Sequence, residues 1–231
     1  MRNKPIVCKY GAPPRRFPHF KGTIIFDLGG VLINLDIARC INNLTQLLGE
    51  NNLKNIMGIS NDEEGTNAVS VANRQLMKDY EKCLISTNDF FSQVLPYCRQ
   101  GTTQEQLEEA WRSMIVDLPE YRLQAIERLR QNGFSIYLLS NSNDSHWNYI
   151  TEKFGFEKYF DRIFASHLLH LSKPDDRIFK LVDSEIGPWQ RQHIYYIDDM
   201  LANREAAQQT VGCYTFASLE DFVKETQLTY L

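Results

Sequence analysis

Residues Thr23–Asp36 have the sequence TIIFDLGGVLINLD. It begins with a short run of β-branched and aromatic residues, which is typical of a buried strand. The run ends on a lone carboxylate, Asp27, and Gly29 and Gly30 follow after one further residue. Because glycines allow a sharp turn and a close approach of the backbone to a ligand, this stretch predicts a strand that leads into a binding site.

The composition is that of a globular protein with a sizeable core. The chain has 231 residues, 43% of them hydrophobic and 23% charged, and its formal net charge is −4. This length fits one domain, or a core with a smaller inserted domain. The negative charge argues against a nucleic-acid partner, and no apolar run approaches the roughly 18 residues that would indicate a membrane span. We therefore expect neither nucleic acid nor membrane as a partner.

The cysteines and the N-terminal segment give only general information. There are five cysteines, without a C-x-x-C pair, and an odd number at wide spacing argues against a disulfide framework and a zinc site. Most are expected to be small core residues, and a reducing cytoplasm is the expected compartment. Residues 1–21 lack the continuous apolar segment of a signal peptide, and we interpret them as a flexible extension.

Five segments have the composition of short strands, and helical patterns separate the last four of them. The strand segments are Thr23–Leu28, Phe134–Ser140, Arg162–Ser166, His193–Asp199 and Cys213–Ser218. Strands that alternate with helices predict right-handed βαβ units and a parallel sheet. The predicted fold class is therefore α/β, with a Rossmann-like, doubly wound parallel sheet.

Between the first strand and the others lies a region of different character. Residues 36–116 show helical periodicity and no convincing strand. An all-helical block that interrupts an α/β pattern predicts an inserted helical cap domain. The expected organisation is therefore an extension at 1–21, an α/β core formed by 22–35 and 117–231, and a cap at 36–116.

Polar side chains follow the predicted core strands at the edge where their carboxyl ends meet, which is where doubly wound sheets bind ligands. They are Asp27, Ser140, Asn141, Lys173, Asp198 and Asp199. Each of them alone is more often a turn or helix-cap residue. Together they supply a nucleophile, clustered carboxylates and a compensating cation, which is a complete set for phosphoryl transfer.

The acidic members of this set predict covalent catalysis with a metal ion. Asp27 can attack phosphorus and form an aspartyl phosphate. Attack by one anion on another needs charge neutralisation, which Mg²⁺ supplies when oxygen ligands hold it. Asp27 and Asp199 are the natural pair of ligands, with Asp198 alongside. The backbone carbonyl of Gly29 is a plausible further ligand.

The remaining members of the set are expected to bind the phosphoryl oxygens. Lys173 would face these oxygens and offset the clustered negative charge, which makes it a second catalytic residue. Ser140, Asn141 and nearby backbone N–H groups, including that of Gly30, would bind the same oxygens.

Four motifs in this order resemble those of the haloacid dehalogenase superfamily of phosphohydrolases. They are FDLGGVL (Phe26–Leu32), LLSNSN (Leu138–Asn143), SKPD (Ser172–Asp175) and YIDDM (Tyr196–Met200). The resemblance covers the chain after about Gly22, and the helical block is similar to the small helical cap of that family. It implies a Mg²⁺-dependent phosphatase that acts on a small phosphorylated metabolite, as a monomer or a homodimer. The most similar branch contains bacterial sugar-1-phosphate phosphatases and the phosphatase domain of soluble epoxide hydrolases, which points to a sugar phosphate.

One position departs from the pattern of the family. Phosphatases of this superfamily usually have Asp-x-Asp, and the second Asp acts as general acid and base, whereas this chain has Gly29 there. General acid–base help is typically worth 10²–10⁴-fold in rate, so we expect a preference for leaving groups that depart easily. His146, just after SNSN, and Asp36 are candidate replacement proton donors.

Two alternatives stay open on the sequence alone. A phosphate-binding or regulatory protein without turnover is favoured by the glycine at position 29. A haloacid dehalogenase would use Asp27 to attack carbon instead of phosphorus. That reaction has no use for a divalent cation, so the Asp198–Asp199 pair argues against it.

Overall fold

A computed structural model of the chain describes residues 21–57, 68–82, 84–187, 191 and 193–226. All but the last residue of the predicted N-terminal extension therefore lies outside the described residues, as do Cys8 and Cys83. The other three cysteines are free thiols, and two of them, Cys40 and Cys213, are buried as expected of core residues. No helix within the described ranges is long and apolar enough to cross a membrane.

The strands form one large parallel sheet and one small antiparallel ribbon. They are β1 (Gly22–Phe26), β2 (Asn34–Leu35), β3 (Ile115–Asp117), β4 (Phe134–Ser140), β5 (Arg162–Ala165), β6 (Ile194–Ile197) and β7 (Tyr214–Phe216). The large sheet has the order β5-β4-β1-β6-β7, and all of its neighbouring strands run parallel. The predicted fold class is confirmed, and β1 lies at the centre between β4 and β6.

Helices connect the strands of the large sheet and also fill the region between β2 and β3. They are α1 (Ile37–Leu48), α2 (Glu50–Ile56), α3 (Ala68–Glu81), α4 (Thr87–Val94), α5 (Gln104–Arg112), α6 (Glu120–Gln131), α7 (Asp144–Phe154), α8 (Ser166–Leu169), α9 (Asp176–Glu185), α10 (Leu201–Val211) and α11 (Leu219–Thr226). Short 3-10 turns follow α4 and α7, at Leu95–Tyr97 and Phe156–Tyr159.

The central strands are buried on both faces, which explains their nearly continuous apolar sequences. Because side chains alternate along a strand, Ile24 and Phe26 pack on one face of β1 while Ile25 packs on the other. Helices α6, α7 and α11 cover the first face, and α9 and α10 cover the second. This double layer holds the carboxyl ends of β1, β4 and β6 side by side.

Helices α1 to α5 share a hydrophobic cluster of their own, and we call them the helical unit. Its buried aromatic centre includes the rings of Tyr80 and Phe90, which stack with centroids 4.0 Å apart, and Trp111. Its apolar side chains at helical spacing therefore bury one another. The cluster is separate from the two clusters that flank the large sheet.

The structure corrects one prediction at the end of the helical region. The sequence predicts helix as far as Val116, but α5 ends at Arg112 and Ile115–Asp117 forms β3, which pairs antiparallel with β2. The β-branched pair Ile115 and Val116 suits a strand better than a helix. The resulting two-stranded ribbon connects the helical unit to the α/β core.

Candidate active site

Asp27 follows β1 directly, and backbone hydrogen bonds fix its position. Its N–H donates to the carbonyl of Ile197 on the neighbouring strand at 2.8 Å. Its carboxylate atom Oδ1 accepts a hydrogen bond from the N–H of Leu28 at 2.6 Å. The residue is only 8% exposed, so the carboxylate is presented from a nearly dry environment.

A single ammonium group joins this carboxylate to a second one. Lys173 Nζ lies 2.9 Å from Asp27 Oδ2 and 2.7 Å from Asp198 Oδ2. Asp198 is fully buried and Lys173 nearly so, and buried charges need such pairing to be tolerated. Burial raises the pKa of Asp27 to about 7, although the charge of Lys173 opposes this rise.

Asn141 holds the backbone of this lysine in place. The Nδ2 atom of Asn141 donates to the carbonyl of Lys173 at 2.9 Å, and Oδ1 accepts from the Lys173 N–H at 2.8 Å. The Asn141 side chain is thus engaged in structure, so phosphate binding by this residue would depend on its backbone. Ser140 is buried, and its hydroxyl donates to the Asn141 carbonyl at 3.3 Å.

Both oxygens of Asp198 are occupied by hydrogen bonds from its surroundings. Asn203 Nδ2 lies 3.1 Å from each oxygen, and the N–H of Met200 donates to Oδ1 at 2.9 Å. The buried hydroxyl of Tyr196 donates to Oδ2, the atom that also contacts Lys173. Burial opposes ionisation, but Lys173 and these donors hold the pKa of Asp198 below its usual range. Asp198 is therefore a fixed buried anion.

Asp199 is the exposed member of the carboxylate cluster. One oxygen from each of Asp27, Asp198 and Asp199 lies within 4.8 Å of the others. Burial, and then the charge of Asp198, raises the pKa of Asp199. Gly30 packs directly against it: a Cβ at this glycine would stand 2.5 Å from Asp199 Oδ2.

The donor set fits a hard divalent cation. Three carboxylates face one ammonium group, so the cluster has an excess of negative charge, and its ligand atoms are all oxygens. Because Asp198 is occupied by hydrogen bonds, Asp27 and Asp199 are the better placed ligands. The structure does not test the role of the Gly29 carbonyl, which stays a prediction.

Gly29 stands where an acid is usual, and the side chain of Leu35 lies beside it. A Cβ on Gly29 would lie 3.0 Å from Cδ1 of Leu35. Gly29 is not among the residues with positive φ, whereas Gly30 has φ 77°. The backbone therefore requires glycine at position 30, while at position 29 the neighbouring side chain limits the space.

The two candidate proton donors have partners outside the carboxylate cluster. His146 stacks on Trp111, its Nε2 lies 3.2 Å from the Trp111 carbonyl, and its Nδ1 lies 3.4 Å from Nδ2 of Asn143. Burial lowers the pKa of His146 to about 4, so the ring is neutral at pH 7. The carboxylate of Asp36 accepts from the N–H of Arg39 at 2.8 Å and caps α1. Neither placement adds support for proton donation.

The helical unit contacts the loops that carry this site. The hydroxyl of Tyr80 donates to Oδ1 of Asn143 at 3.2 Å, in the loop after β4. Ser166, after β5, donates to the carbonyl of Ser142 at 2.9 Å and lies 3.4 Å from the carbonyl of Glu81 at the end of α3. The helical unit thus meets the core at the carboxyl ends of its strands.

Sequence reasoning missed the roles of Tyr196, Ser166 and Leu35. A signal existed for Tyr196, because it stands two residues before Asp198 on a strand and so faces the same side. Ser166 and Leu35 have no comparable local signal. Ser166 contacts segments that are distant in sequence, and Leu35 contacts Gly29 because the loop between them folds back.

Comparison with known proteins gives a consistent family. The sequence profile described as haloacid dehalogenase-like hydrolase matches residues 21–209. An HAD family enzyme of Bacteroides thetaiotaomicron has a similar structure, with a TM-score of 0.71 and 31% identity over 90% of this chain and 99% of that chain. The same enzyme in complex with magnesium and inorganic phosphate gives a TM-score of 0.68 and 32% identity, over 84% and 92% of the two chains.

A relative with a named substrate comes from the same organism. D-ribitol-5-phosphate phosphatase of Bacteroides thetaiotaomicron is 24% identical over 201 residues, which are 84% of this chain and 89% of that protein. This similarity spans most of both chains, and the family profile over 21–209 includes all of the site residues described above.

The contact between Gly30 and Asp199 predicts the effect of adding one methyl group. Gly30→Ala should reduce the affinity for a divalent cation by roughly 10–100-fold, the scale of losing support for a metal ligand, because its Cβ displaces Asp199. Gly212→Ala is the matched control, since it has φ 72° but open space around its Cβ. Both substitutions should also lower the free energy of unfolding by about 1–2 kcal/mol, because they place an alanine in a left-handed backbone conformation. Calorimetric titration and thermal unfolding measure both effects; equal cation affinity in the two variants would contradict the account.

Proposed function

The chain belongs to the haloacid dehalogenase-like hydrolase family, and from this premise we propose that it is a Mg²⁺-dependent phosphatase of a small phosphorylated metabolite. The observation that carries the proposal is the buried ammonium of Lys173, shared between Asp27 and Asp198 beside the exposed Asp199. The relative crystallised with magnesium and inorganic phosphate supports the ligands. The ribitol-phosphate phosphatase supports a phosphorylated sugar or sugar alcohol as the substrate class.

Asp27 is the proposed nucleophile. One of its carboxylate oxygens forms a bond to phosphorus while the bond from phosphorus to the leaving oxygen breaks, and the leaving oxygen takes the electron pair. Water then attacks the phosphorus of the aspartyl phosphate, which releases phosphate and regenerates Asp27. The hydrogen bond from Leu28 and the contact with Lys173 orient the carboxylate for the first step.

The other residues of the site bind, orient and balance charge. Asp27 and Asp199 would hold Mg²⁺, with Asp198 alongside and the Gly29 carbonyl as a further ligand. When bound, this ion neutralises the negative charge that nucleophile and phosphate bring together. Lys173 contributes a fixed positive charge to the phosphoryl oxygens.

Backbone groups at two strand ends complete the proposed phosphate site. The hydroxyl of Ser140 and the N–H groups of the loops that contain Asn141 and Gly30 are its hydrogen-bond donors. The reciprocal hydrogen bonds between Asn141 and Lys173 support this arrangement, because they hold the two loops at a fixed distance.

The helical unit is the proposed cap. Its contacts with the loops after β4 and β5 support a position over the site, where a cap excludes water and contacts the substrate. The proposed boundaries are those predicted from the sequence, with a core of 22–35 and 117–231 and a cap of 36–116. The β2–β3 ribbon supports them, because its two strands stand where the chain leaves and re-enters the core.

A phosphate-binding protein without turnover is the second candidate function. The observation in its favour is Leu35, which fills the space beside Gly29 where other members of the family have an acid. A dehalogenase is disfavoured, because the carboxylate cluster suits a divalent cation that carbon–halogen hydrolysis does not need.

A phosphate-release assay separates these functions. Sugar phosphates, sugar-alcohol phosphates, nucleotides and acyl phosphates are tested with Mg²⁺ and with a chelator. We expect release only with Mg²⁺, and a loss of at least about 10³-fold in Asp27→Asn, the scale of removing a nucleophile. Asp176→Asn, on the exposed surface of α9, is the control and should behave as wild type. Turnover that survives chelation, or a fully active Asp27→Asn variant, would refute the phosphatase proposal.

The pKa of Asp27 makes a prediction about stability that is independent of activity. Burial raises this pKa from 3.8 to about 7, so the folded state binds the proton more tightly than the unfolded state does. The contribution to stability is therefore present below about pH 4 and is lost as the pH rises through about 7. In chelator, Asp27→Asn should have a higher melting temperature than wild type at pH 8 and a similar one at pH 4. A lower melting temperature of the variant at pH 8 would contradict this assignment.

A further inference from the structure

We propose that Leu35 keeps position 29 without a proton-donating side chain, because its tip occupies the space into which such a side chain would point. The inference rests on the proposed phosphatase function and specifies its substrate class. A site without that acid favours esters whose leaving oxygen is stable without protonation, such as acyl, aryl and anomeric sugar phosphates, over alkyl esters such as the D-ribitol 5-phosphate of the relative.

Steric contact, and not backbone conformation, limits the side chain that position 29 can hold. Gly30 has φ 77° and could carry a side chain only under strain, but Gly29 has no positive φ. Its obstacle is Leu35, whose Cδ1 and Cγ would lie 3.0 and 3.8 Å from a Cβ on Gly29. A longer side chain at position 29, such as aspartate, would have to push the leucine aside.

The backbone of Leu35 is held in place. Leu35 belongs to β2 and pairs with Ile115 of β3. The next residue, Asp36, donates its N–H to the carbonyl of Met114 at 2.7 Å and caps α1. Leu35 is 38% exposed, so it stands at the surface of this loop with its backbone fixed on both sides.

Three other groups that are able to carry a proton have partners of their own. His146 contacts the Trp111 carbonyl and Asn143, Asp36 caps α1, and the hydroxyl of Tyr196 donates to Asp198. When the bond from phosphorus to the leaving oxygen breaks, the electron pair stays on that oxygen, and solvent supplies any proton. The rate then depends on how well the leaving group bears negative charge.

The test measures kcat/KM with Mg²⁺ for esters of graded leaving-group pKa. The series runs from acetyl phosphate and glucose 1-phosphate through substituted phenyl phosphates to alkyl phosphates, including D-ribitol 5-phosphate. The wild type should show a steep fall in kcat/KM as the leaving-group pKa rises. The Leu35→Ala variant should show an equally steep fall, because the substitution adds space but no acid.

The paired variants test the role of Leu35 itself. Gly29→Asp alone should gain little on alkyl phosphates, because its Cβ would stand 3.0 Å from Cδ1 of Leu35 and the leucine must shift before the new carboxyl can be positioned. Gly29→Asp with Leu35→Ala should raise kcat/KM on alkyl phosphates at least about tenfold over Gly29→Asp alone, which is part of the 10²–10⁴-fold typical of a fully positioned acid. Gly29→Asn with Leu35→Ala is the matched control, which has the same shape but no acid, and should not show this gain.

A stability measurement tests the same contact without catalysis. In a double-mutant cycle, Gly29→Ala should lower the melting temperature, and Leu35→Ala should cancel part of that loss. Additive effects would show that the two positions do not share space and would overturn the proposal. So would a flat leaving-group dependence in the wild type, or an equal gain on alkyl phosphates from Gly29→Asp alone. Absence of hydrolysis of every ester, acyl phosphates included, would instead overturn the phosphatase function.

Discussion

The structure depends on one buried ammonium group between two buried carboxylates. Lys173 lies within 3 Å of both Asp27 and Asp198, and none of the three is more than slightly exposed. Removing such charges from water is expensive unless each is paired. The strands β1 and β6, which carry the carboxylates, and the loop that carries the lysine must therefore meet with little freedom of position.

The two acids of this triad differ in the number of hydrogen bonds that they accept from their neighbours. Tyr196, Asn203 and the Met200 N–H saturate Asp198, so it is a fixed anion that anchors Lys173. Asp27 keeps fewer partners and a raised pKa, which is the condition of a group that still needs a cation or a substrate. The proposed roles of nucleophile and anchor follow from this difference in hydrogen bonding, although both residues are aspartates at strand ends.

Much of this arrangement could be predicted from the sequence, because parallel strands bring their carboxyl ends to one edge. That rule places Asp27, Asp198 and Lys173 together without any knowledge of side-chain packing. It could not reveal that Asn141 holds the lysine through its side chain, or that Leu35 folds back on Gly29. Such contacts depend on loop conformation. The β2–β3 ribbon was missed for the same reason, since strands of two or three residues leave almost no periodic signal.

A divalent cation should balance the charge of the triad and Asp199, in which three carboxylates face one ammonium group, and calorimetry measures this. Mg²⁺ is titrated into the protein in buffers of different ionisation enthalpy, which yields the number of protons released. Because the pKa of Asp27 is about 7 without a cation, Mg²⁺ should bind more weakly at pH 6 and release about one proton there. Release should fall towards zero at pH 9. Proton release that does not change with pH, or equally tight binding to Asp27→Asn, would contradict the account.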